Sequence, residues 1–255
     1  MTERLSNEYE SPALTEEDKK RISDSLKSIR ETVKECCEKA GRKNDVTLMA
    51  ATKTVSVEKI NYAISECGLT DIGENRVQEL LEKYDMLKKD GVRIHFIGTL
   101  QPNKVKYIID KVCLIHSLDS MSLAREIDKR ASAKGIRMDV LIEVNIGSEE
   151  NKGGVAKDEV IPFANELRSF GGIRLVGLMT MAPKCEDKED YRGYFSSVRA
   201  LFDKMAKEGC FDAESPILSM GMSQSYDIAV ECGSTLIRPG SAVFGNRIYK
   251  NSDLK

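Results

Sequence analysis

The chain has 255 residues, 41% of them hydrophobic and 31% charged, a composition that suits one large globular domain or two small ones. Its 39 basic and 41 acidic residues are interspersed and leave a net charge of −2, too weak a field to gather nucleic acid or an anionic membrane. Seven cysteines, at 36, 37, 67, 113, 185, 210 and 232, contain no Cys-x-x-Cys pair, which argues against a zinc site or disulfide framework and for a reducing compartment. Met1 to Glu10 is polar and acidic, without a signal-peptide core. No stretch approaches the roughly 20 apolar residues that a membrane span needs. The expected setting is the cytoplasm.

In chain order, residues 1–14 read as a flexible leader. Thr15-Glu16-Glu17-Asp18 opens a helix with a capping hydroxyl and an acid three residues on. Ile22, Leu26, Ile29 and Val33 hold its helical spacing, and Gly41 closes it. Short apolar runs follow at 46–52, 70–73, 93–98, 112–116, 138–146, 173–180, 216–220 and 234–238. Helical patterns separate them at 57–67, 74–89, 120–134, 157–169 and 188–208, with shorter segments after 98 and after 223. Strict alternation of strand and helix predicts a parallel sheet covered by helices. About eight units in this length fit an α/β fold of the closed (β/α)8 TIM-barrel type, with an extra N-terminal helix. No Pro-rich linker or composition break divides 15–255, which is expected to be one domain.

In such a barrel the chemistry sits at the carboxyl ends of the strands. The run Val46-Thr47-Leu48-Met49-Ala50-Ala51-Thr52-Lys53 delivers a lysine to the end of the first strand. An amine held against apolar surface loses solvation, and its neutral form is a nucleophile toward aldehydes, giving a Schiff base. The plain alternative is a lysine that snorkels to solvent. Gly73-Glu74-Asn75, Gly98-Thr99-Leu100-Gln101, His116-Ser117, Asn145 with the loop Gly147–Gly154, and Met179-Thr180 end the next five strands. His95 and His116, the only histidines, lie in apolar strands and read as core residues satisfied by a hydrogen bond. His95 is also weighed as a ring-packing group at the mouth.

The last two units carry the second signal. Ser219-Met220-Gly221-Met222-Ser223 and Ile237-Arg238-Pro239-Gly240-Ser241 each follow a strand and open a helix. Glycine lets backbone approach a ligand, and helix N-termini present free N–H groups to an anion. Singly, each loop reads as an ordinary helix cap; as a pair after strands seven and eight they match the usual phosphate site of such barrels. A phosphorylated aldehyde satisfies both the lysine and the loops. Pyridoxal phosphate leads, and a cofactor-free sugar-phosphate aldolase stays open.

The ordered blocks Ala51-Thr52-Lys53, Gly73-Glu74-Asn75 with Gln78-Glu79, and His95-Phe96-Ile97-Gly98 with Leu100-Gln101 and Asn103-Lys104 begin a longer pattern. Gly177-Leu178-Met179-Thr180-Met181, Ser219–Ser223, Gly233-Ser234-Thr235, Arg238–Ser241 and Phe244-Gly245 complete it. Through these blocks the chain, from about Val46 to Gly245, resembles the pyridoxal phosphate homeostasis proteins, small relatives of the alanine racemase N-terminal barrel. That resemblance implies that Lys53 forms a Schiff base with pyridoxal 5'-phosphate. It implies that Ser223, Gly240 and Ser241 hold the phosphate, that Arg238 faces the pyridine nitrogen and that Asn75 lines the mouth. One departure is Ser225, where relatives often carry an acid; Asp227 lies further on, which leaves the capping of that helix open.

The resemblance also implies a non-catalytic carrier and buffer in vitamin B6 homeostasis, with no catalytic residue of its own. Racemases of this fold group carry a second, all-β domain, and only ten residues, Asn246 to Lys255, follow Gly245 here. The expected state is a monomer whose recipients are apo forms of pyridoxal-phosphate enzymes. The alternative is a small amino-acid racemase. Lys152, in the loop after strand five, is read either as a solvated lysine or as a second amine that accepts the aldehyde during release.

Overall fold

The computed structural model describes residues 14–147 and 153–245. The leader therefore lies outside the described residues except for Leu14, and Lys152 lies outside them altogether. The chain begins with helix α1 (Glu16–Lys39) and continues β1 (Thr47–Ala51), α2 (Val57–Cys67), β2 (Asp71–Glu74), α3 (Val77–Tyr84) and β3 (Arg93–Phe96). A 3-10 turn at Pro102–Lys104 leads into α4 (Val105–Ile108), then β4 (Leu114–Leu118), α5 (Met121–Ala133) and β5 (Met138–Asn145). The remainder is β6 (Val155–Ala156), α6 (Val160–Leu167), β7 (Ile173–Thr180), α7 (Asp190–Lys207), β8 (Ile217–Ser219), α8 (Tyr226–Glu231), β9 (Leu236–Ile237) and α9 (Ser241–Phe244).

The strands pair in the order β4-β3-β2-β1-β9-β8-β7-β5, and a β4–β5 pairing closes the ring. All of these pairings are parallel. The result is the closed eight-stranded barrel with helices that the alternation predicts. β6 is an addition the sequence did not signal; its two residues extend the ladder of β5 at Val144 and Asn145.

Side chains alternate across each strand, so every second residue points into the barrel. Met49 and Ala51 of β1 meet Ile97 and Leu236 in one small interior cluster, and Leu114, Leu141, Val176 and Met179 form another. The alternate residues, such as Ala50, Ile72, Phe96, Ile115 and Leu178, join the large outer core between sheet and helices. α1 belongs to that outer core through Ile22, Leu26, Ile29 and Val33, at the positions its periodicity predicts. Its amino end has the predicted capping box: the Asp18 amide donates to Thr15 Oγ1 at 3.1 Å, and the Asp18 carboxylate accepts from the Thr15 amide.

Some boundaries differ from the sequence reading. The helix expected over 74–89 is only Val77–Tyr84, because Glu74 belongs to β2 and Arg76 is extended at φ −127°, ψ 130°. β9 keeps two residues of the five-residue run, since Arg238, Pro239 and Gly240 already turn over the barrel mouth.

Tight backbone contact fixes the loop after β3. A Cβ on Gly98 would lie 2.0 Å from the carbonyl oxygen of Asn75. Backbone cannot yield as a side chain can, so Gly98→Ala is expected to destabilise the fold by about 3 kcal/mol through overpacking. Urea unfolding checks this: the transition midpoint should fall with an unchanged slope.

Candidate functional site

Period two carries Lys53 to the mouth. Met49 and Ala51 face the barrel interior, and Lys53 follows on the same parity, half-buried, just beyond the end of β1. β1 pairs with β9, placing Thr47 opposite Leu236 and Leu48 opposite Ile237. The ladder continues past the strand, where the Ala51 amide donates to the Pro239 carbonyl at 2.9 Å. At Gly240 an added Cβ would lie 3.2 Å from the Ala51 carbonyl oxygen. The lysine segment and the Arg238–Ser241 loop are therefore packed backbone to backbone.

A polar clamp holds the lysine segment from outside the barrel. Thr52 is buried; its amide and its hydroxyl both donate to the Gly73 carbonyl, and the hydroxyl lies 2.8 Å from Glu74 Oε1. Lys83 of α3 donates to the Thr52 carbonyl at 2.9 Å and to Glu74 Oε1 at 2.8 Å. Glu79 accepts the Thr54 amide at 2.8 Å, and Thr54 sits in the left-handed region at φ 62°. That strained conformation is held by the carboxylate rather than by a glycine.

The two glycine loops meet through one hydroxyl. Ser223 Oγ accepts the amides of Gly240 at 3.0 Å and Ala242 at 3.1 Å. It acts as an acceptor here, and two bonds received leave its own O–H to donate. Among the described residues the backbone N–H groups of Ser223 and Ser241 meet no protein acceptor. Ser241 itself is exposed, and the helix it opens has four residues. Gly221 has φ 92°, and a Cβ there would meet Ala229 Cβ at 2.6 Å, so its turn and its packing on α8 both require glycine. α8 begins at Tyr226, behind Ser225, whose hydroxyl accepts the Met222 amide at 3.4 Å and caps no helical amide. Asp227 is occupied by an ion pair with Lys188.

Arg238 is buried and points inward on the parity of Leu236. Its guanidinium donates to Ser219 Oγ at 2.6 Å and to the Thr180 carbonyl at 2.8 Å. Burial pulls its pKa down to about 10 while Glu143 opposes the fall, so it stays charged near neutrality. Behind it the interior polar groups continue. His116 Nδ1 lies 3.0 Å from Ser219 Oγ, His95 Nδ1 lies 2.9 Å from His116 Nε2, and His95 Nε2 lies 3.0 Å from Asp71 Oδ1. Both histidines are hydrogen-bonded core residues, as the sequence predicts. His95, bonded to Asp71 at the amino end of β2, does not sit at the mouth as a ring-packing group. Asn75 is half-buried, and its Oδ1 is buried without a partner.

Glu143, Asp71 and Ser219 were missed as interior residues. Glu143 is buried; burial pushes its carboxyl up to about 7, with Asp119 adding to the rise and Arg238 opposing it. The available signal was parity: an acid within the apolar run 138–146 stands out once alternate positions are known to face inward. Among the described residues no three metal-ligating side chains gather, and no helix is long and apolar enough to cross a membrane.

Such an arrangement defines a racemase-type barrel in which the Lys53 segment and two glycine-serine loops pack together at the carboxyl ends of the strands. The chain matches the alanine racemase N-terminal domain family over residues 25–247. It is 46% identical over 225 residues to the pyridoxal phosphate homeostasis protein of Aquifex aeolicus, covering 88% of this chain and 97% of that protein. This chain thus belongs to the pyridoxal phosphate homeostasis protein family of alanine racemase N-terminal-type barrels. A crystal structure of an unknown protein from Bifidobacterium adolescentis superposes with a TM-score of 0.84 at 33% identity, over 92% of this chain and 98% of that one. PipY of Synechococcus elongatus, solved with PLP bound, superposes with a TM-score of 0.75 at 26% identity, over 88% of this chain and 100% of its own.

The raised Glu143 pKa has a consequence for stability. The folded state binds this proton more tightly than the unfolded chain, whose carboxyl titrates near 4.5. Below that pH the group costs folding nothing; the penalty grows as pH rises through about 7 and is complete above it. Glu143→Gln is therefore expected to be more stable than the parent by about 2 kcal/mol in mildly alkaline buffer, and equal to it in acid. Thermal melts of the two proteins across this range check the convergence.

Proposed function

We propose that this chain binds pyridoxal 5'-phosphate at the barrel mouth through a Schiff base to Lys53, and serves as a non-catalytic carrier and buffer of the cofactor. The supporting observation is the backbone contact between Ala51, in the Lys53 segment, and the Pro239–Gly240 turn, which favours an amine and an anion cradle acting on one ligand. The PLP-bound structure of PipY and the homeostasis name of the Aquifex protein favour the same reading.

The residues present fit the group. The Ser223 hydroxyl and the amides of Ser223 and Ser241 supply donors for a phosphate, and Gly240, lacking a side chain, lets their turn pack directly against Ala51 of β1. Asn75 offers an unpartnered buried oxygen to a polar substituent. Arg238 has donors only, so a ring nitrogen facing it must accept a hydrogen bond and stay unprotonated. When bound, pyridoxal phosphate supplies an aldehyde for amines and a ring that stabilises carbanions, and an unprotonated ring does the second poorly. Arg238 thereby favours storage of the aldehyde over turnover. The proposed setting is one barrel domain, monomeric and cytoplasmic, that hands the cofactor to apo-enzymes.

Glu143 supports a second reading. A carboxyl with a pKa of about 7 at the mouth is matched to proton transfer near neutrality, as a weak amino-acid racemase would need.

Purified protein is expected to be yellow, and Lys53→Ala to lose the visible band; borohydride trapping should place the pyridoxyl group on Lys53. A label on another residue would falsify the assignment. Deuterium wash-in at Cα with a panel of amino acids separates the two readings. The carrier predicts no exchange above the free cofactor, whereas rapid exchange that Glu143→Gln abolishes establishes the racemase.

A further inference from the structure

We infer that Asp71, His95, His116 and Ser219 form a one-way hydrogen-bond relay through the barrel that positions Arg238, with both imidazoles neutral and protonated on Nε2. The direction follows from the two ends. Asp71 is a buried carboxylate whose Oδ1 also accepts from Arg93 Nε at 2.8 Å and whose Oδ2 accepts from Thr70 at 2.8 Å. Burial alone would raise its pKa, but these bonds and the one from His95 hold it below the ordinary range, so it only accepts. His95 Nε2 must then donate to it, and in a neutral ring Nδ1 accepts. His116 Nε2 therefore donates to His95, and His116 Nδ1 accepts from the Ser219 hydroxyl. The Ser219 oxygen is left to receive Arg238 at 2.6 Å. Every proton along the line points from the arginine at the mouth toward the carboxylate at the amino end of the strands.

The competing arrangement charges His95 and reverses the line. His116 Nδ1 would then donate to Ser219, which would receive two donors while its own proton met no acceptor. A buried hydroxyl proton left unpaired costs on the order of 1–3 kcal/mol, and a buried imidazolium would share Asp71 with Arg93. The one-way line satisfies every one of these atoms. Nor does it conduct protons: its upper end is a guanidinium that neither takes nor releases one near neutrality. What it does is present an oxygen lone pair to a buried cation and fix the plane of the guanidinium. Asp71, His95, His116 and Ser219 are thus positioning residues for Arg238. The consequence for the cofactor rests on the reading that Arg238 faces its ring.

The chain has two histidines, both in the relay, so ring nitrogen spectra report on nothing else. Long-range proton–nitrogen correlation on 15N-labelled, cofactor-free full-length protein at neutral pH is expected to show two neutral rings, each with its proton on Nε2. A proton on Nδ1 of either ring, or a charged imidazolium, overturns the relay. Ser219→Ala removes the contact to Arg238, and in titration with pyridoxal 5'-phosphate it is expected to bind about tenfold more weakly, with a shifted visible band. Unchanged affinity and band would overturn the positioning role even if the proton positions hold. If the parent protein binds no pyridoxal 5'-phosphate, the cofactor reading fails alone, and the spectra of the cofactor-free chain still decide the relay.

Discussion

The parallel pairing of β1 with β9 is the contact on which the site depends. It joins the first and last strands of the barrel, and residues separated by most of the chain become neighbours. Beyond the last paired residues the ladder survives in the Ala51 bond to Pro239, which sets the Lys53 segment and the glycine turn at the same level. Gly240 permits that approach because it has no side chain to hold the strands apart. Parity does the rest. With Met49 and Ala51 turned inward, Lys53 follows them, and with Leu236 inward, Arg238 follows it.

A barrel interior is ordinarily filled with apolar layers, yet this one is divided. Two small apolar clusters flank a line of polar side chains that runs from Asp71 to Arg238. Buried polar groups are tolerated where each has a partner, because an unpaired one forfeits its hydration with no return. The interior line meets that condition end to end. Its upper terminus is a cation that burial alone would destabilise, and its neighbours, Ser219, the Thr180 carbonyl and Glu143, all present oxygen or negative charge to it. The outer clamp of Glu74, Glu79 and Lys83 serves the other half of the mouth. There a left-handed threonine follows the lysine, and charge-assisted bonds hold a conformation that local preference would not.

Much of this was legible beforehand. The strands were visible as apolar runs, α1 as a capped helix, and Lys53 as an amine at a strand end. The two loops that meet through Ser223 were visible as glycine and serine after the last two strands. The misreadings have local causes. The helix expected over 74–89 was too long because Glu74 suits a helix by composition but is claimed by Lys83 and Thr52 at the end of β2. The acceptor part of Ser223 was not legible, because a hydroxyl's partners depend on which amides approach it, and those belong to another loop. Ser225 left the capping of α8 open, and the structure shows a turn bond to Met222 instead of a cap.

The sequence by itself determined the fold class, the order of the elements and the residue types able to do chemistry. Those properties reside in short-range periodicity and in turn residues, which act within a few positions of themselves. The tertiary structure alone decided which of those residues meet. It packed Ala51, two residues before Lys53, against Gly240, turned Glu143 inward beside Arg238 and strung two histidines between a carboxylate and a serine. Register and closure between distant strands set these contacts, and a shift of one residue in either would send each side chain to the opposite face.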